Sequence, residues 1–119
     1  TSQYTLSLHD ALPISLQYLD FAVRFSPDTV STYIVYGIHR YRMKDYGKAA
    51  ARFRQALDRA PDNAEAHYNL GLTLVELGAF SEAREHARKA YDLGYPLPGL
   101  KRRLQRNGHW QASGQDTGQ

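Results

Sequence analysis

The side chains able to do chemistry in this chain are few, and their spacing does not suit a catalyst. There are five histidines, His9, His39, His67, His86 and His109, and no cysteine. No two histidines stand four residues apart, the helical spacing that brings two imidazoles onto one metal ion. No carboxylate reads as sharing a metal with any of them. Without cysteine there is no disulfide and no thiolate nucleophile or ligand, while the compartment, cytoplasmic or periplasmic, stays open. Glycines do not cluster as a phosphate-cradling loop requires. Glu76, Glu82 and Glu85 read as helix-surface charges, with Glu85 and Lys89 spaced as an ordinary ion pair. His67 is expected to pack structurally, and His39 and His86 to be solvated. The reading is of a chain that is not an enzyme, with no catalytic residues, no metal and no cofactor.

The elements that must position these residues repeat every 34 positions. Ala22, Ala56 and Ala90 keep that spacing, as do Pro27 and Pro61, Gly37 and Gly71, Tyr46 and Phe80, and Ala49 and Ala83. A fixed period of this length marks stacked supersecondary units, each covering the apolar face of its neighbour. Apolar residues recur at i, i+3, i+4 and i+7, as with Phe53, Ala56 and Leu57 or Leu70, Leu74 and Leu77, which is the stripe of a helix. The spacing predicts helices at 16–25, 29–43, 46–59, 64–77, 80–92 and 97–107. Sustained alternation is missing, so no sheet is expected. Pro61 ends one helix. Asp62 and Ser81 are placed to start helices, and Gly78, Gly94 and Gly108 to end them.

Residues 30–63 place Tyr33, Tyr36, Gly37, Tyr46, Ala49, Phe53, Ala56 and Pro61 at the distances of a known 34-residue pattern. Residues 64–97 repeat it with His67, Leu70, Gly71, Leu74, Gly78, Phe80, Ala83 and Ala90. The chain therefore resembles the tetratricopeptide repeat (TPR) proteins over about residues 16–97. The resemblance implies an all-α fold: antiparallel helix-turn-helix repeats stacked as a short right-handed α-solenoid with a C-terminal capping helix. Three positions depart from the pattern. Arg40 stands where an aromatic or leucine is usual, Ala87 replaces the large residue at Phe53, and Tyr95 takes the register of Pro61.

The expected organisation begins with a non-native leader at 1–15. Residues 4–14, read back into codons, resemble a widely used short-read sequencing adapter, and a true N-terminus is expected to be missing. The leader could fill in as a partial helix through Leu6 and Leu12, stopped by Pro13. A half repeat follows at 16–29, then TPR units at 30–63 and 64–97. Residues 98–110 form the capping helix, with Leu97, Leu100 and Leu104 inward and Lys101, Arg102, Arg103 and Arg106 outward, and Trp110 folded back on it. A disordered tail is expected at 111–119.

In TPR proteins the first helices of successive units line a concave groove. By position, that groove has Ser31, Ile34, Ile38, Tyr41 and Arg42 from one unit and Glu65, Tyr68, Leu72, Val75 and Glu76 from the next. Its apolar centre suits an apolar peptide or an amphipathic helix, oriented by Arg42 and Glu76. The same side chains could instead be buried against neighbouring helices. The Lys/Asn clamp with which some TPR proteins grip chaperone carboxylates is missing, with only Asn69 similar, and an aliphatic wall would leave a carboxylate desolvated and unpaired.

The function expected is that of an adaptor or scaffold with a protein or peptide partner. Alternatives are a homo-oligomer formed through Leu16, Leu19 and Val23 of the half repeat, or the docking arm of a larger enzyme. Net charge is +3, or +4 without residues 1–15, whose one charge is Asp10. The short basic cluster at 101–106 lacks interleaved aromatics, which speaks against nucleic acid. No apolar run approaches the roughly 20 residues a membrane helix needs, so no membrane partner is expected.

Overall fold

The computed structural model of the protein describes residues 29–110 together with Gln17, Phe21, Arg24 and Phe25. The expected leader at 1–15 and tail at 111–119 lie outside the described residues, as does most of the half repeat, Leu16, Leu19 and Val23 included. From residue 29 onward the chain forms α1 (Val30–Arg42), α2 (Tyr46–Arg59), α3 (Ala64–Glu76), α4 (Phe80–Asp92) and α5 (Gly99–Arg106). The described residues contain no strand. α1 and α3 start 34 residues apart, as do α2 and α4, so the period of the sequence is the period of the helices.

Polar side chains start two of these helices. The Thr29 hydroxyl accepts the Thr32 N–H at 3.2 Å, and Asn63 Oδ1 accepts the Ala66 N–H at 2.9 Å. Each occupies an amide that the helix itself leaves without a partner. The helix-start assignments to Asp62 and Ser81 are corrected. Asn63 is the residue with extended backbone next to α3, and Ser81 lies inside α4, whose N-cap Ala79 offers no side-chain acceptor. A capping side chain must sit at the last non-helical residue to reach the amide three positions on.

Four of these five helices end alike, α2 being the exception, since it stops at Ala60 before Pro61. The N–H groups of Ala79, Tyr95 and His109 return to the carbonyls of Leu74, Ala90 and Leu104. Gly78, Gly94 and Gly108 bridge them at φ 77, 92 and 74. This is the six-to-one closure that requires a left-handed residue, where glycine carries no steric penalty. α1 closes the same way, Asp45 N–H to Arg40 at 2.9 Å, but with Lys44 at φ 63 in the glycine position.

α1 packs on α2 and α3 on α4 as two helical hairpins, α2 joins the hairpins by packing on α3, and α5 covers α3 and α4. The core runs along the second helices: Ala49, Phe53 and Ala56 on α2 and Ala83, Ala87 and Ala90 on α4 are fully buried. Leu70 and Leu74 of α3 and Leu100 and Leu104 of α5 complete it. Burying each leucine contributes about 1.5–3 kcal/mol.

The replacement of Phe53 by Ala87 has a packing explanation. In the first unit Gly37 lies under the ring of Phe53, with 2.5 Å between its hypothetical β-carbon and ring carbon Cε1. In the second unit the equivalent Gly71 lies under Leu100, whose Cδ2 would collide with a β-carbon there. The cap thus supplies from α5 the bulk that α2 supplies from within its own unit. Tyr95, in the proline register, stacks on Tyr68 with ring centroids 4.3 Å apart. α5 has no side-chain cap of its own. Instead the Tyr91 hydroxyl accepts the Lys101 N–H at 3.0 Å and donates to the Leu97 carbonyl at 2.9 Å. Trp110 lies edge-on to Tyr91 at 6.1 Å, beneath the Arg88 and Lys101 cations.

Candidate binding groove

α1 and α3 are first helices of successive units and touch one another. Their positions divide by burial. Ile34 and Tyr68 are 5% and 7% exposed and belong to the core. Ile38, Tyr41, Leu72 and Val75 are half-buried and pack against it from outside. Arg42, Ser31 and Glu65 are exposed. Ile38 and Arg42 border a cleft of about 120 Å³ on α1, shared with Val35 and His39. Of the ten residues expected to line the groove, Ile34 and Tyr68 are therefore core and lie beneath the rest. Asn69 spends its amide on the Glu65 carbonyl of its own helix at 3.0 Å.

One contributor was not legible in the sequence. Arg103, expected on the outer face of the cap, turns instead toward α1 and α3. Its Nη1 donates to the Tyr41 hydroxyl at 3.1 Å, and its Nη2 lies 2.9 Å from Glu76 Oε1. One guanidinium thereby ties α5 to the C-terminal ends of α1 and α3. Two forked donors meeting a carboxylate and a phenol suit arginine and not lysine. With side chains 34% and 27% exposed, the ion pair is worth about 0.2–1 kcal/mol. The tie fixes geometry more than stability, and the 62-residue separation of Tyr41 and Arg103 leaves no local signal by which to find it.

A second cluster lies at the junction of the hairpins. His67 is buried, as expected, and its Nε2–H donates to the Pro61 carbonyl at 2.6 Å. Its Nδ1 is 2.9 Å from Nδ1 of His86. Since His67 uses Nε2 as donor, its neutral form accepts at Nδ1, and His86 is the donor. His86 Nε2 stands 3.6 Å from Glu82, one turn earlier on α4. Glu82 in turn accepts Arg54 Nη1 of α2 at 2.6 Å. The expectation of a solvated His86 is therefore corrected: its ring is largely buried between His67 and Glu82, the latter four residues earlier on the same helix. Burial, then the neighbouring His67, hold the His86 pKa below its ordinary value against the pull of Glu82. The Arg54 hydrogen bond lowers that of Glu82. The chain of contacts links α2, the Pro61 turn, α3 and α4. Among the described residues no three histidine or carboxylate side chains are placed to hold a metal ion.

Two stacked helical hairpins, small residues at the close approaches and an apolar row on the first helices define a helical repeat module. The tetratricopeptide repeat family model matches residues 37–96, half of the chain, and the chain belongs to that family. No curated protein matches it. Tetratricopeptide repeats generally mediate protein–protein interaction and are typically non-catalytic. Among the described residues no helix is long and apolar enough to cross a membrane.

Proposed function

We propose that the chain is an adaptor that holds an apolar peptide, or one face of an amphipathic helix, against α1 and α3. The observation that carries this reading is the half-exposed row of Ile38, Leu72 and Val75, backed by buried Ile34 and Tyr68. Such a row offers aliphatic contact without needing the core to open, and its supporting residues are held rigid by packing. Arg42 stands exposed at its edge and orients the bound segment, while Glu76 is held by Arg103.

Ile38→Glu with Leu72→Glu tests the reading. Both positions are half-buried, so the charges keep access to water and the helices persist. Proteins captured from a lysate by the parent and released by this variant, with unchanged circular dichroism, support the groove. Capture that is identical for the two chains sinks it.

A second reading, self-association, is favoured by a separate observation. Phe21 and Phe25 are 57% and 64% exposed, with ring centroids 4.7 Å apart. An exposed aromatic pair of this kind suits a second copy. Light scattering at rising concentration distinguishes it: a mass that stays monomeric removes this reading.

A further inference from the structure

We infer that α5 adds a cationic wall to the groove, and that the segment bound there is acidic along one edge. This rests on the groove reading above and names the chemistry of its partner. Gly99, Arg102, Arg103 and Arg106 stand at i, i+3, i+4 and i+7, one stripe of the helix. Two members of the stripe show which way it faces. A β-carbon on Gly99 would lie 2.7 Å from the Tyr68 hydroxyl, and Arg103 bonds Tyr41 and Glu76. Tyr41, Tyr68 and Glu76 are all groove positions, so Arg102 and Arg106 belong to the groove side of α5.

The charges on this face do not cancel. Residues 93–110 contain four basic side chains and no Asp or Glu. Glu76 neutralises Arg103 and so cannot serve the others. Arg102 and Arg106 are exposed, as is Arg42 across the groove on α1. Glu65, the other carboxylate of the groove, stands at the opposite end of α3 from Glu76. Beside the apolar row there are thus three exposed guanidiniums, Arg42, Arg102 and Arg106, while Glu76 is already paired with Arg103. A segment that lays leucines on Ile38, Leu72 and Val75 would bring its flanking carboxylates to Arg102 and Arg106, in bidentate pairs that arginine favours. A nucleic acid fits less well, because the centre of the surface, Ile38, Leu72 and Val75, is aliphatic.

The test uses fluorescence anisotropy on the full chain with three labelled probes. One is an amphipathic peptide with leucines on one face and glutamates on the other. The second is its glutamine counterpart, and the third is oligothymidylate of the same length. The glutamate peptide is expected to bind about tenfold more tightly than the glutamine peptide. Arg102→Glu with Arg106→Glu should remove that preference, while Lys48→Glu with Lys89→Glu, an equal charge change on the second helices, should keep it. Tenfold corresponds to about 1.4 kcal/mol, which lies within the range of two exposed ion pairs. Equal binding of the two peptides, with both lost in the Ile38→Glu, Leu72→Glu variant, overturns the acidic preference and leaves the groove standing. No binding of either peptide overturns both. Tighter binding of oligothymidylate than of the glutamate peptide, or equal loss in the two charge variants, overturns the inference in favour of a nucleic-acid surface or of diffuse attraction.

Discussion

Gly37→Ala separates the space this repeat needs from the backbone preference of the residue that supplies it. On an open helix surface the exchange stabilises by up to about 1 kcal/mol. At Gly37 the new β-carbon would lie 2.5 Å from Phe53 Cε1 and 2.8 Å from Cδ1 and Cζ. Ordinary contact begins at 3.4 Å, so the ring would have to withdraw by about 0.9 Å. Phe53 is 0% exposed, and a flat ring cannot fold out of the way. Overpacking of this kind costs about 1–3 kcal/mol. Set against the propensity gain, the net expectation is a loss of about 1 kcal/mol and up to about 2. For a domain of this size that lowers the melting temperature by roughly 4–8 °C per kcal/mol. Gly47→Ala on α2 is the internal control. No atom lies within 4 Å of its β-carbon, so the same chemical change there should stabilise by about 0.5–1 kcal/mol. Thermal and urea unfolding followed by circular dichroism read both signs. The decisive measurement is the double mutant with Phe53→Leu. Shrinking the ring should relieve Gly37→Ala, giving a favourable coupling of about 1 kcal/mol. If Gly37→Ala stabilises, or if its effect simply adds to that of Phe53→Leu, the close-approach argument is wrong.

Three further outcomes are expected. Lys44→Gly should stabilise by about 1 kcal/mol in urea unfolding, because lysine sits at φ 63 where only glycine escapes the left-handed penalty. Leu100→Ala should cost about 2–5 kcal/mol and expose Gly71, since Leu100 is 0% exposed and fills the space above that glycine; a loss below 1 kcal/mol would mean that α5 is an ornament on the stack. His86 contributes a pH dependence of definite sign. Its folded pKa lies below the ordinary 6.5, so the unfolded chain binds the proton first, and this contribution is full above pH 6.5 and lost as pH falls toward the folded value. His86→Gln should therefore narrow the drop in melting temperature between about pH 7.5 and about 5.5; an unchanged drop would assign it elsewhere. Glu82, also lowered, acts only below its ordinary 4.5 and should not contribute in that range.

How far the site could be read from residues alone differs along the chain. That positions on α1 and α3 are equivalent follows from the 34-residue period, because equivalent residues of stacked units meet equivalent surroundings; that they line a groove is what the TPR resemblance implies. What periodicity cannot rank is depth. Ile34 and Ile38 look alike on a helical stripe, yet Ile34 is core and Ile38 is rim, since the difference depends on how closely the neighbouring helix approaches. The misassigned cap of α3 is of another kind. Asp62 and Asn63 are both good caps, and only the backbone conformation at Asn63 decides between them.

From residue 29 onward the sequence by itself determined the helices, the glycine-closed ends and the pairing into hairpins. Each of these rests on neighbours within a few positions: the apolar stripe, a capping side chain, a glycine at positive φ or a proline. Tertiary structure alone decided which side chains meet between helices. Arg103 meets Tyr41 and Glu76, Leu100 settles on Gly71, and His86 meets His67. A long side chain on a helix can reach several partners with nearly equal local cost. Which one it takes is set by the angle at which whole helices stack, a quantity that sums over the core and is written in no single segment of the chain.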